Sequence, residues 1–270
     1  MCPPDYFGVE YEINSWMEGN IGKVKQTIAQ QQWQQLYEIM TRHSQVHLLP
    51  SVPGLPDLCF TANAGLVRDQ EFIISHFRFI QRRREEPFFC QWFNDRGYTI
   101  KKIAEDITFE GEGDALFQPG ESLLWLGYNM RTSFTARQAL ENILALEVIP
   151  LHLINPRFYH LDTCFVPLPG GRVVYYPAAF DAASLDSIHA RIPEHQRWAV
   201  SDEDALGFAC NAIISDQQFI CNTASLELRT QLQEWGFSVT TTPLTEFILA
   251  GGAAKCLALN LTQNIPSCSK

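Results

Sequence analysis

Residues 162–176 read Asp162-Thr163-Cys164-Phe165-Val166-Pro167-Leu168-Pro169-Gly170-Gly171-Arg172-Val173-Val174-Tyr175-Tyr176. Two short runs of β-forming residues flank a Pro-Gly-Gly turn, the mark of a hairpin, and a small polar residue stands just ahead of them. The arrangement occurs three more times. Asn63 precedes Gly65-Leu66-Val67 and Phe72-Ile73-Ile74-Ser75, which are joined by Arg68-Asp69-Gln70-Glu71. Asp114 precedes Ala115-Leu116-Phe117 and Leu123-Leu124-Trp125-Leu126, and Asn211 precedes Ala212-Ile213-Ile214 and Phe219-Ile220-Cys221. Asn14 and Cys256 continue the phase at either end, so the six positions step by 49, 51, 48, 49 and 45 residues. A period near 50 predicts repeated hairpin-plus-helix blades around an axis, with corresponding positions meeting at the centre. Acids, amides and a thiol from separate blades would then converge.

Helical spacing predicts helices over 20–43, 86–96, 134–147, 182–191 and 225–236. In the first, Val24, Ile28, Leu36, Ile39 and Met40 form the apolar face. Thr135 with Gln138 reads as a capping box, and Gly97 and Gly236 as C-terminal stops. All of this fits one domain spanning 1–270.

The chain has 270 residues, of which 46% are hydrophobic and 19% charged, too apolar a mixture for disorder. A net charge of −10 argues against nucleic-acid and anionic-membrane partners, which need a clustered positive field. Arg82-Arg83-Arg84 is followed at once by Glu85-Glu86 and forms no basic stripe. With neither a secretory leader nor an apolar run of the ~20 residues a span needs, a cytoplasmic protein is expected. Eight cysteines are present, none in C-x-x-C spacing, so no metal site is expected and most thiols should be reduced and buried.

Three segments carry chemistry. Glu110-Gly111-Glu112-Gly113-Asp114 is an acidic loop whose glycines let a backbone pass close to a ligand. Tyr159-His160-Leu161-Asp162-Thr163 puts a histidine and an acid two apart, on one face if extended. Gly251-Gly252-Ala253-Ala254-Lys255-Cys256 presents a thiol after a flexible loop and beside a cation. A thiol, an acid/base and several carboxylates suit covalent catalysis at a cationic carbon.

From Tyr6 to about Leu261 the chain resembles the penteins, the guanidine-modifying enzymes that include arginine deiminases, dimethylarginine hydrolases, amidinotransferases and dihydrolases. The resemblance rests on Glu10-Tyr11-Glu12-Ile13-Asn14, Leu55-Pro56-Asp57 through Thr61-Ala62-Asn63-Ala64-Gly65, the Glu110–Asp114 loop, His160-Leu161-Asp162-Thr163 and Gly251–Cys256, all in order. It is similar in particular to the arginine dihydrolase module at the N-terminus of a two-domain cyanobacterial enzyme, whose ornithine-processing domain is not expected in a chain ending at Lys270. The resemblance implies a fivefold pseudosymmetric α/β propeller needing no cofactor. It implies Cys256 as nucleophile, His160 as general acid/base and Glu110 as the carboxylate that orients substrate and shuttles protons, with Glu112 the alternative by one alternation. Asp57 and Asp162 would hold guanidinium nitrogens, Arg82 and Arg131 the substrate carboxylate, and Asn14, Asn63, Glu112 and Asp114 would complete the pocket.

The family often has three glycines and an arginine before the nucleophile, where this chain has Gly251-Gly252-Ala253-Ala254-Lys255. At the position of Asn63 many deiminases and dimethylarginine hydrolases resemble one another in having an acid, suited to a cation. A neutral amide, as in succinylarginine dihydrolase, is suited to holding a ureido group for a second attack. The resemblance therefore implies an arginine dihydrolase yielding ornithine, two ammonia and carbon dioxide. The alternatives are a citrulline-forming hydrolase and a non-catalytic binding protein on the same propeller. The partner is a small guanidino compound, and homo-oligomerisation is left open.

Overall fold

The computed structural model describes residues 1–263; Cys268, one of the cysteines expected to be reduced, lies outside them. Four three-stranded sheets share one plan. They are β1 (Gly65–Arg68), β2 (Glu71–Ile74) and β3 (Thr99–Lys101); β4 (Ala115–Phe117), β5 (Leu123–Tyr128) and β6 (Glu147–His152); β7 (Phe165–Leu168), β8 (Arg172–Tyr175) and β9 (Arg197–Ala199); and β10 (Ile213–Ser215), β11 (Gln218–Cys221) and β12 (Ser238–Thr241). In each, the first two strands form the antiparallel hairpin and the third returns parallel to the second. A parallel return needs a long crossover, and a helix supplies it.

The helices are α1 (Gln26–Thr41), a single turn α2 (Ile80–Arg83), α3 (Glu86–Asn94), α4 (Ala136–Leu144), α5 (Ala182–Arg191), α6 (Asp202–Leu206), α7 (Leu226–Glu234) and α8 (Thr245–Ile248). Helices α3, α4, α5 and α7 are the crossovers. Hairpin turns follow the turn chemistry: Asp69 and Asp216 take positive φ, as do Gly170 and Gly171. Strand β5 is buried along nearly its whole length, as a central strand paired on both edges should be.

Two expectations are corrected. The first helix begins at Gln26, because Gly22 sits at φ +71° and Lys25 is extended. Its buried stripe is Ala29, Trp33, Leu36 and Met40, leaving Ile28 outside. Thr135 does not cap α4: its backbone is already helical and its side chain accepts nothing from the first turn. Side-chain caps occur instead at Asp181, Ser201 and Ser225. Gly97 and Gly236 end their helices in the left-handed region as expected.

The rest of the chain has no sheet among the described residues. The two ends of the chain meet there, with α1 packed on α8 and Gln32 bonding both Thr245 Oγ1 (2.8 Å) and the Glu246 amide (3.0 Å). Tight turns then carry the periodic polar residues inward: Thr61–Ala64, Gly111–Gly113, Leu161–Thr163 and Lys255–Leu257. Their contact explains the glycines of the acidic loop. A Cβ on Gly111, itself at φ +58°, would lie 2.6 Å from the Gly65 backbone, and one on Gly113 would lie 2.2 Å from Asn63 Nδ2. The glycines let turn approach turn, rather than backbone approach ligand.

Candidate active site

The inward turns deliver their side chains to a buried cluster. His160 Nε2 lies 3.2 Å from Glu110 Oε2, and its Nδ1 lies 3.2 Å from Asp114 Oδ2, an ionic contact off the line of a hydrogen bond. Burial alone would favour neutral imidazole, but Asp114 and Glu110 outweigh it and hold His160 at about 9. Glu110 is fully enclosed, which disfavours its charge. Arg131 Nη1 at 3.1 Å and then His160 overcome this and keep it well below the usual carboxylate range. The Arg78 amide also donates to Glu110 Oε1, at 3.1 Å.

Asn63 joins this cluster to the cavity. Its Oδ1 accepts from Arg82 Nη1 at 2.8 Å, so its Nδ2 must face His160 Nε2, 3.3 Å away. Arg82 is held in turn by a two-pronged pair with Glu85, at 2.9 and 2.7 Å. This fixes which way round the amide stands.

Cys256 has its own support. Asn211 Nδ2 donates to Sγ at 3.1 Å while Asn211 Oδ1 accepts from the Ala253 and Cys256 amides, at 3.1 and 3.2 Å. The thiol donates to Asp162 Oδ2 at 3.2 Å. Burial and then Asp162 push the Cys256 thiol well above its ordinary value, with the Ala253 amide and Asn211 opposing. Burial likewise raises Asp162 to about 6, against the pull of His160, Lys255 and the thiol. Cys256 and Asn63 line one small cavity with Asp57, Arg82, Arg131 and Tyr159, of about 10 Å³, roughly one water's room. Residues 13–17 form one side of it. Ser15 Oγ bonds Pro156 O, Trp16 Nε1 bonds Arg157 O, and Arg131 Nη2 bonds Ile13 O.

The sequence-derived set is thus mostly brought together, with three reassignments. Glu112 points away from His160: its carboxylate takes Lys255 Nζ at 2.7 Å, the Asn260 amide and Gln263 Nε2. That also removes Lys255 from the thiol. Asp114 is occupied by His160, the Thr132 hydroxyl and the Leu161 amide, and it is not among the residues lining the small cavity. The fork of Arg82 is taken by Glu85. His160 and Asp162 do not share a face, because the chain turns at 161–163 and aims one at Glu110 and the other at Cys256. Asn14 lines the cavity while bonding Ala250 O at 3.0 Å. Asp57 accepts Tyr11 OH at 2.8 Å through Oδ2, and its buried Oδ1 has no hydrogen-bond partner among the described residues.

Asn211, Glu85, Tyr11 and Tyr159 were not singled out as site residues. Asn211 carried a signal in its place in the period near 50, and Tyr11 and Tyr159 stood inside quoted motifs without a role. Glu85 looked like the end of a charge run.

Residues 3–263 match the family described as N,N dimethylarginine dimethylhydrolase, eukaryotic. The chain belongs to that family. A Mycobacterium tuberculosis N(G),N(G)-dimethylarginine dimethylaminohydrolase is 34% identical over 263 residues, covering 97% of this chain and 84% of that protein. The bifunctional arginine dihydrolase/ornithine cyclodeaminase ArgZ of Synechocystis is 47% identical over 265 residues. The match covers 98% of this family member but 38% of ArgZ. The crystal structure of the ArgZ N-terminal domain, a cysteine-to-serine variant bound to substrate and described as an arginine dihydrolase, matches with a TM-score of 0.96 at 47% identity, covering 97% of each chain. The mixed α/β architecture of four small sheets is therefore that of the family, and a fivefold arrangement is compatible with it.

Proposed function

We propose that this chain is a cysteine-dependent arginine dihydrolase, converting L-arginine and two waters to ornithine, two ammonia and carbon dioxide. The observation that carries the reading is Asn63, a neutral amide held in one orientation between Arg82 and His160 on the wall that also holds Cys256. An amide can serve a neutral ureido group as readily as a cation. The likeness to ArgZ supports the same choice. The family's other members supply the second reading, a dimethylarginine or arginine hydrolase that stops at citrulline.

In this mechanism the guanidinium rests on Asp57 and Asp162, whose Oδ1 atoms have no hydrogen-bond partner among the described residues. The arriving cation favours the thiolate, which burial alone opposes, and the thiol proton leaves by way of Asp162 Oδ2, to which it is already donated. Cys256 attacks the guanidinium carbon, and His160, protonated at neutral pH, gives its proton to departing ammonia. The imidazole then activates water, with Glu110 holding Nε2. A second thiolate attack, on the retained ureido carbon, expels the second ammonia. Hydrolysis of that thiocarbamate gives a carbamate that loses carbon dioxide. Arg131 is the better partner for the substrate carboxylate, because its bond to the neutral Ile13 carbonyl is one a carboxylate outcompetes. We read 1–263 as lying within one catalytic domain that uses no metal or cofactor, and a cytoplasmic setting fits the seven free thiols among the described residues.

The deciding experiment is stoichiometric: purified protein is incubated with arginine, and ammonia, ornithine and citrulline are counted. Two ammonia per ornithine is expected. Citrulline as sole product would replace this reading with the second.

A further inference from the structure

We propose that a second cavity, behind Cys256, is a back port that passes water and ammonia while the substrate side stays shut. The inference rests on the dihydrolase reading and deepens it. The cavity is about 390 Å³, and its walls include the inner strands β4, β7 and β10. It shares no lining residue with the substrate cavity. It comes within one residue of the nucleophile, since Asp162 and Lys255 are both in its wall. Asp162 touches Cys256 Sγ at 3.2 Å, and Lys255 precedes Cys256 in the chain. Between the nucleophile and this cavity stand Asp162, the Asn211 amide bonded to Sγ, and the Lys255–Glu112 pair.

The chemistry asks for such a route. Loss of the first ammonia leaves the substrate carbon on sulfur, and one water must enter to free it as the ureido compound. That compound has to remain for the second attack, which releases another ammonia and consumes another water. The substrate cavity has almost no spare volume, and residues 13–17 are fastened across one side by bonds to Pro156 and Arg157. Unfastening them to exchange water for ammonia would release the ureido compound too. A polar partition avoids the conflict: water and ammonia exchange hydrogen bonds with it and are small, whereas an amino acid is neither. The leaving nitrogen also starts in the right place. Asp162, proposed to hold a guanidinium nitrogen, is itself the partition.

Val166 and Ser215 line this cavity away from Cys256, Val166 buried in β7 and Ser215 half-buried where its hydroxyl meets Ser44 at 2.8 Å. The variants Val166→Phe and Ser215→Trp narrow the port. Both should lower kcat for ornithine at least fivefold, keep KM for arginine within twofold, and let citrulline escape so that ammonia per arginine falls below two. Alkylation of Cys256 by chloroacetamidine, which needs only the substrate side, should proceed at the wild-type rate. Should Val166→Phe fail to fold, the half-buried Ser215→Trp decides alone. Wild-type kcat and products in folded variants, a rise in KM instead of a fall in kcat, or alkylation slowed as much as turnover would each overturn the port. If the wild type makes only citrulline, the dihydrolase reading fails separately. The port is then judged by whether single-turnover ammonia release slows in the same variants.

Discussion

Glu110 and Glu112 lie two residues apart around one buried turn, each almost fully enclosed and each against a buried cation, yet they serve opposite sides of Cys256. Glu110 keeps one oxygen on Arg131 and His160 together, so its charge is coupled to a group that must gain and lose a proton. Glu112 is saturated by Lys255, a backbone amide and Gln263, and it touches nothing that titrates in the proposed reaction. The two residues are alike in type, burial and pairing. What separates them is whether the partner is a permanent cation alone or a permanent cation plus an imidazole. A buried carboxylate is a functional candidate only when something beside it changes charge.

The largest effect should come from Cys256, which stands between the two sides. Cys256→Ser should abolish turnover with folding intact, since a hydroxyl is far less acidic and nucleophilic than a thiol. Retained activity would remove the nucleophile from the scheme. Next is the direct comparison of the two acids. Glu110→Gln should lower kcat by roughly 10²–10⁴, the range expected for a general acid/base component. Glu112→Gln should leave the folded enzyme's kcat within a few-fold and instead lower unfolding free energy by about 3–5 kcal/mol, because Lys255 is left buried without its counter-ion. Urea melts alongside initial rates separate these outcomes. Equal losses of kcat would erase the distinction.

A smaller change sharpens the first side. In Asn63→Asp one oxygen should still accept from Arg82, while the other meets His160 Nε2 and adds a third carboxylate to an imidazole already held between two. The new charge also favours a guanidinium over a neutral ureido group by roughly 1.5–3 kcal/mol before desolvation is discounted. Citrulline release relative to ornithine should rise about tenfold or more. Chromatography of both products from arginine measures it, and an unchanged ratio would mean the amide does not govern retention.

Much of this was legible in the sequence because period and turn chemistry are local. Pro169-Gly170-Gly171 and Asp69 announce hairpins without knowledge of the rest of the chain, and the step near 50 located every inward turn, including that of Asn211. What was not legible is direction. Glu110 and Glu112 are separated by one glycine packed closely on Gly65, and which acid faces His160 is set by three-dimensional packing that the local sequence does not carry. Glu85 was invisible for a related reason: in sequence it ends a run of charges, whereas in space its bidentate hold on Arg82 sets the orientation of Asn63. The first helix was misphased because Gly22 and the extended Lys25 delay its start, moving the buried stripe onto Ala29 and Trp33.

The smallest prediction concerns stability and tests whether His160 is charged at rest. Burial lowers the affinity of His160 for its proton, and Asp114 and Glu110 more than reverse this, so the folded imidazole titrates near 9 against about 6.5 when unfolded. The protonated form therefore stabilises the fold. Its contribution is fully present below pH 6.5 and is lost as pH rises through 9, because over that window the folded state holds one proton more than the unfolded state. Unfolding free energy should fall by up to about 1.4 kcal/mol per pH unit from this group. His160→Gln should lack that slope, Glu110→Gln should weaken it, and Glu112→Gln should keep it while shifting the whole curve down. Urea melts at pH 6, 7.5 and 9 on the four proteins supply the comparison. If wild type and His160→Gln share one slope, the imidazole is neutral at rest, Asn63 Nδ2 is donating to a bare Nε2, and the proton for the first ammonia has to come from elsewhere.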